Sequence, residues 1–229
     1  MNYKITLLFL AYFSIVIWRF ITPASSSPVS SRVIGGIVPH HLYVSDIIAD
    51  FFQTISVEEN VNHVFIVGPD HLELGSSHIT FNPSFDDQSI TALLPFVKST
   101  FPNSSITPIV LKHTTTMSEI LDLTDQIYQS PGKNLLIASI DFSHYLSSEQ
   151  AKQNDRMIMD LIKSRNYSQI LNLNSNYLDS PGALVTTLMY FDKYQGQQML
   201  MLNNSNSGER GNPYAPTTSY YSLIFYAKP

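Results

Sequence analysis

The chain has 229 residues, a formal net charge of −5 and no cysteine. The missing thiols exclude disulfides, iron–sulfur clusters, Cys-ligated zinc and thiol nucleophiles. No Lys/Arg cluster offers a footprint for nucleic acid. With 44% hydrophobic residues, 13 Tyr and 13 Phe, the composition is that of a globular domain rather than a disordered chain.

The first segment stands apart from the rest. Lys4 precedes an apolar run from Ile5 to Trp18; Arg19 follows, Phe20-Ile21 extends the run, and Thr22-Pro23-Ala24-Ser25-Ser26-Ser27-Pro28 comes next. A basic start, a short apolar core and small residues near Ala24 make a signal peptide. The same run with Arg19 snorkelling to the interface makes an uncleaved transmembrane anchor. Both readings give residues 1–24 to export or anchoring, 25–32 to a Ser-rich linker and 33–229 to one working domain. They place that domain outside the cytoplasm, membrane-anchored or secreted.

Within the domain, Val33–Val38 reads as a strand, and Tyr43–Ile55 carries Ile47, Ile48, Phe51, Phe52 and Ile55 at helical spacing. Val64-Phe65-Ile66-Val67 has the continuous apolar character of a strand buried on both faces. Ser89–Phe101 follows as a helix bent or interrupted at Pro95, then Ile106–Leu111 as a strand. Thr116–Gln129 is a helix opened by a Thr116/Glu119 capping box. Asn134–Ile140 is a strand. Ser147–Ser164 is a helix with a second box at Ser147 and Gln150. Pro181–Tyr194 is a further helix, and Met199–Leu202 and Ser219–Tyr226 close the sheet. This alternation predicts a layered α/β/α domain around a mainly parallel or mixed sheet. Such sheets bind ligands beyond the carboxyl ends of their strands.

Three of the strands run into a histidine there. The segments are Ile37-Val38-Pro39-His40-His41, Ile66-Val67-Gly68-Pro69-Asp70-His71 and Ile137-Ala138-Ser139-Ile140-Asp141-Phe142-Ser143-His144. If the strands are parallel, the three imidazoles share one edge. The loop Asn206–Gly211 adds a lone carboxylate, Glu209. Two imidazoles and one carboxylate form the facial set of non-haem Fe(II) sites, and a His₂Glu zinc site looks the same in sequence. A further histidine, His144, can move protons beside such an ion. His63, His78 and His113 follow no such pattern, and His41 neighbours His40.

Together these motifs resemble the Memo family, known in prokaryotes as AmmeMemoRadiSam system protein B. The resemblance runs in order through Gly36–His40 with Tyr43, Val64–His71, Leu94-Pro95-Phe96, Thr107–Val110, Ala138–His144, Ser207-Gly208-Glu209 and Ser219-Tyr220-Tyr221. It implies a fold similar to class III extradiol dioxygenases, which hold Fe(II) with two His and one Glu. It also implies a pocket that binds iron or copper, with Cys or Asp as third ligand in Memo proteins. Carried over by motif, His40 and His71 are metal ligands, Glu209 takes the third position, and His144 and Asp141 are the catalytic pair. The chain departs from the family pattern in three places. His41-Leu42 replaces Ala-Gly, Asp87-Gln88-Ser89-Ile90-Thr91 replaces Glu-His-Ser-x-Glu, and a family Cys is absent, with Tyr177 near its place.

The expected function is that of a metal-binding, dioxygenase-like redox protein using Fe(II), or else Cu or Zn, on a small-molecule substrate. A non-catalytic binding module and a metal-dependent hydrolase are the competing readings. The family also implies an AMMECR1-like partner and a radical S-adenosylmethionine enzyme. Those are cytosolic, so an exported domain would not meet them.

Overall fold

A computed structural model describes residues 31–195, 198–211 and 216–227. The apolar segment of residues 5–21 and nearly all of the linker lie outside the described residues. Among the described residues, no helix is long and apolar enough to cross a membrane.

Seven strands form one mixed sheet: β1 (Arg32–Val38), β2 (His63–Pro69), β3 (Ile79–Phe81), β4 (Ser105–Leu111), β5 (Asn134–Ser139), β6 (Gln198–Asn206) and β7 (Ser219–Ala227). Their order is β3-β4-β2-β5-β1-β7-β6. The four inner strands β4, β2, β5 and β1 are parallel, while β3 pairs antiparallel with β4, β7 with β1 and β6 with β7. Parallel neighbours need covered faces on both sides, and β2 shows the consequence. Val64 and Ile66 pack into one core with Phe51, Phe52 and Val97, from α1 (Ser45–Ile55) and α3 (Leu94–Thr100). Phe65 and Val67 pack into the other. That core holds Ile120 and Leu123 of α4 (Met117–Gln129), Ile158 of α5 (Ser148–Ser164), Ile170 of α6 (Tyr167–Leu171) and Leu188 of α7 (Pro181–Lys193). Each such side chain contributes about 1.5–3 kcal/mol by leaving water, and the layered α/β/α arrangement is the geometry that lets both faces of β2 do so.

Both expected capping boxes form, at Thr116/Glu119 and Ser147/Gln150. The helix expected over Ser89–Phe101 is interrupted rather than bent, as two pieces, α2 (Gln88–Thr91) and α3. Pro95 sits in the first turn of α3. There its missing N–H costs nothing, whereas within a continuous helix it would remove a bond and clash with the preceding turn. The strand expected over Met199–Leu202 runs on to Asn206. The loop expected after it starts as a one-turn helix, α8 (Ser207–Arg210), capped by Asn206 and Glu209 in a third box. Asn-x-x-Glu is the sequence signal for that turn.

Candidate metal centre

The carboxyl ends of β1, β2 and β5 lie side by side, because Val38 pairs with Ser139 and Val67 with Ala138 in parallel register. The chain leaves these strands through Pro39-His40, Asp70-His71 and Asp141–His144, so all three loops open on the same edge. Gly68 permits the close packing beneath them. A Cβ there would stand 2.7 Å from Ser89 Cβ and 3.3 Å from Ser139 Cβ.

His40 is buried at 3% exposure, and its Nδ1 lies 3.2 Å from Ser139 Oγ. The single Ser139 hydroxyl proton goes to the Ser89 carbonyl. Ser139 Oγ is therefore the acceptor, His40 carries its proton on Nδ1, and Nε2 is left with a bare lone pair. That Nε2 faces Asp179 Oδ2 at 3.4 Å and Asp141 Oδ2 at 3.7 Å. Burial pushes the His40 pKa below its usual value, a trend that Asp141 opposes and neighbouring His71 reinforces. A neutral imidazole is the form a metal takes.

His71 is fixed in the same way. Its Nδ1 lies 2.7 Å from Asp87 Oδ1, and its backbone N–H donates to Asp87 Oδ2 at 2.9 Å. Asp87 also accepts the Ser89 backbone N–H as the N-cap of α2. Burial raises the Asp87 pKa, but hydrogen bonds from His71 and Ser89 outweigh it and hold the carboxyl at about 2. Nδ1 is thus the bonded nitrogen, and Nε2 points inward to Asp179 Oδ2 at 4.0 Å. The two imidazole rings sit 5.1 Å apart, edge to face. Carboxylate or hydroxyl partners that orient ligating histidines recur at metal sites.

The carboxylate that meets both imidazoles is Asp179, on the segment leading into α7. Its own N–H donates to the Asp141 carbonyl, and the Asp141 N–H returns a bond to Asp179 Oδ2, both at 3.1 Å. Asp179 Oδ1 is buried without a hydrogen-bond partner. Burial, then the nearby Asp141 charge, raise the Asp179 pKa well above the carboxylate range. One nitrogen each from His40 and His71 and one oxygen from Asp179 fall within 4.8 Å of one another. A second such group comprises Asp141, His144 and Asp179. The cleft over them has a volume of about 240 Å³ and is lined by Pro69, His71, Leu111, His144, Tyr145 and Asp179, among others.

Glu209 is placed differently. Its Oε1 lies 2.8 Å from Lys152 Nζ and its Oε2 accepts the Asn206 N–H at 3.2 Å, on a side chain 40% exposed. The Lys152 hydrogen bond, partly offset by desolvation, lowers its pKa. Among the described residues, neither three-donor group at the strand ends includes it.

The profile of the Memo-like protein family matches residues 82–224. The chain belongs to that family. It is 25% identical to a MEMO1 family protein of Desulfurococcus amylolyticus over 248 aligned positions, covering 89% of this chain and 87% of the relative. A MEMO1 family protein of Sulfolobus acidocaldarius is 23% identical over 82% of this chain and 81% of its own length. One from Caldivirga maquilingensis is 27% identical over 61% of this chain, and that match spans about half of the relative, 52%.

The profile spans Asp87, Asp141, His144, Asp179 and Glu209. Of the residues expected in this Memo-like site, the fold gathers His40, His71, Asp141 and His144 and seats Glu209 on α8. It adds Asp179, which no strand-end motif marks, and gives Asp87 and Ser139, which lie within quoted motifs, the supporting roles described above. Asp179 follows Tyr177 by two residues, where the family Cys is absent, and that offset is the one signal for it. His41 turns away, with Nδ1 2.7 Å from the Tyr220 hydroxyl. His113, which follows no strand-end pattern, lines the cleft, and His78 pairs with Glu119 elsewhere.

Proposed function

We propose that this Memo-like protein is a metal-dependent, dioxygenase-like redox enzyme whose ion is held by His40, His71 and Asp179. The supporting observation is that both imidazoles spend Nδ1 on oxygen partners and turn Nε2 toward one half-buried carboxylate. Two neutral imidazoles and a carboxylate suit Fe(II) first, with Cu or Zn as alternatives, and leave positions open to substrate. A bound ion would supply Lewis acidity and, as iron or copper, one-electron chemistry.

The chain does the rest. Ser139 and Asp87 hold the ring orientations, and Asp179 supplies the negative charge. His144 lines the cleft beside Asp179, and buried Asp141 completes a three-donor group with them. Leu111 and Tyr145 give the cleft an apolar wall beside its polar floor, which fits a small molecule with an anionic or hydroxylated end. The test is metal analysis of the full chain purified without chelator, then oxygen uptake with catechol-like compounds. Bound iron or copper with substrate-dependent uptake is the expected result. Protein that takes up no Fe(II), Cu or Zn would end the reading. Bound zinc with ester or amide cleavage and no oxygen uptake would turn it into the hydrolase.

A further inference from the structure

We infer that the centre is built for two ions, with Asp179 as the carboxylate shared between them and Asp141 and His144 as the ligands of the second. This rests on the reading above, in which His40, His71 and Asp179 hold the first ion, and it changes the role expected of His144 from moving protons to holding metal.

The two donor groups meet only at Asp179. Each supplies three donor atoms within 4.8 Å of one another, His40–His71–Asp179 in one and Asp141–His144–Asp179 in the other. Asp179 divides its oxygens to match. Oδ2 is the atom near His40 Nε2, near His71 Nε2 and bonded to the Asp141 N–H. Oδ1 is buried and makes no hydrogen bond. A carboxylate that faces one cluster with one oxygen and keeps the other uncommitted has the valence for a bridge.

His144 repeats the pattern. Its Nδ1 is buried without a hydrogen-bond partner. A buried polar atom with no partner costs about 1–3 kcal/mol, and two of them occur in one three-residue cluster. A single ion on the other side of Asp179 would satisfy neither fully. Charge points the same way. The salt bridges of Asp141 and Asp179 are to His40 and His71, with no Lys or Arg among them. Two carboxyl groups thus adjoin one another with only imidazoles beside them. Asp141 Oδ2 also lies 3.7 Å from His40 Nε2, so Asp141 borders both groups, and two divalent ions would balance the two carboxylates more fully than one. One ion would have two nitrogens and one oxygen, the other one nitrogen and two oxygens, which suits divalent first-row ions.

The test counts ions. The full chain is loaded anaerobically with excess Fe(II), desalted and assayed for iron per chain, with Mössbauer spectra on the same samples. Wild type should hold two irons per chain and give two distinct ferrous environments. His144→Ala and, as a less disruptive change, His144→Gln should each hold one, and Asp179→Ala should hold less than one. A far-UV spectrum and thermal melt on each variant report folding, while the wild-type count needs no variant. One iron per chain in wild type, unchanged in both His144 variants, would overturn the second site and leave the first standing. Two irons in wild type with both retained in the His144 variants would overturn it too, because the second ion would then lie elsewhere. No bound iron would remove both sites together.

Discussion

Asp179 and Glu209 are both carboxylates at the edge of the same domain, and they are spent in opposite ways. Glu209 sits on an exposed turn with one oxygen on Lys152 and the other on the Asn206 N–H. Asp179 lies on the segment before α7, half-buried, with one oxygen turned to two imidazoles and the other buried and unpaired. A ligand needs uncommitted lone pairs where bare nitrogens converge, and a carboxylate already used in a cap and an ion pair has few left. The comparison teaches that residue type and order along the chain are weaker guides to a metal site than what each oxygen is already doing.

The largest expected effect breaks this contrast directly. Asp179→Ala should weaken Fe(II) or Zn binding by at least about 100-fold, because two imidazoles alone do not complete the face. Glu209→Ala should change binding less than about twofold and lower the melting temperature slightly through the lost cap. Equal losses in both variants, measured by competitive metal titration, would dissolve the distinction.

A third carboxylate sharpens it. Asp155 is buried on α5 and accepts bonds from the Ser143 and Ser219 hydroxyls and the Asn204 amide. It is structural where Asp179 is open. Asp155→Ala should cost about 2–4 kcal/mol by stranding those donors, with metal content per folded chain unchanged. Burial raises its pKa, only partly opposed by those hydrogen bonds. The folded chain therefore holds a proton that the unfolded chain has released. Stability due to this group is fully present below the unfolded value of about 3.9 and is lost as pH rises through the folded one. Relative to Asp155→Asn, wild type should lose stability on that rise, as denaturant titration at a series of pH values would show.

Next in size is the support of His71. Asp87→Ala leaves the ligand atoms in place but frees the ring, and metal affinity should fall about 10–100-fold, as for other outer partners of ligating histidines. An unchanged affinity would mean that the ring is held by packing alone.

The smallest effect lies farthest from the site. Thr116→Ala should cost about 1 kcal/mol through the α4 cap. Glu119 is held at about 2, first by the Thr116 backbone N–H and then by the Thr116 hydroxyl. Its contribution is present above the unfolded value of about 4.3 and disappears as pH falls through about 2. A thermal melt series in acid would follow it.

How much of this was legible follows from what kind of pattern each part leaves. The strands and helices with clean periodicity, such as Val64–Val67 and Met117–Gln129, stand out because burial on two faces or one stripe writes itself into consecutive residues. His40 and His71 stand out because they end such strands. Asp179 does not, since it reaches the centre from a segment crossing over the end of β5, where Leu178 bridges Phe142. That approach is a tertiary event with no periodicity behind it. Asp87 is hidden for a related reason: locally it is an N-cap, and only the fold lays it against His71. Glu209 drew attention as a lone carboxylate in a small-residue loop, when Asn206 three positions earlier was the sign that it closes a turn.

The direction of β1 has one more consequence. The chain enters this strand at Arg32 and arrives at His40 on the opposite rim of the sheet, seven strand residues later, a climb of roughly 23 Å at the usual rise per residue. Whatever grips the polypeptide ahead of Arg32 therefore does so at the foot of the barrier, while the cleft looks out from its top. A bead, a bilayer or a fusion partner attached there would leave the doorway facing the bulk solution. Immobilising the domain by its leading end should thus spare uptake of small solutes, and a bulky cap on the β2–α2 side should hinder it.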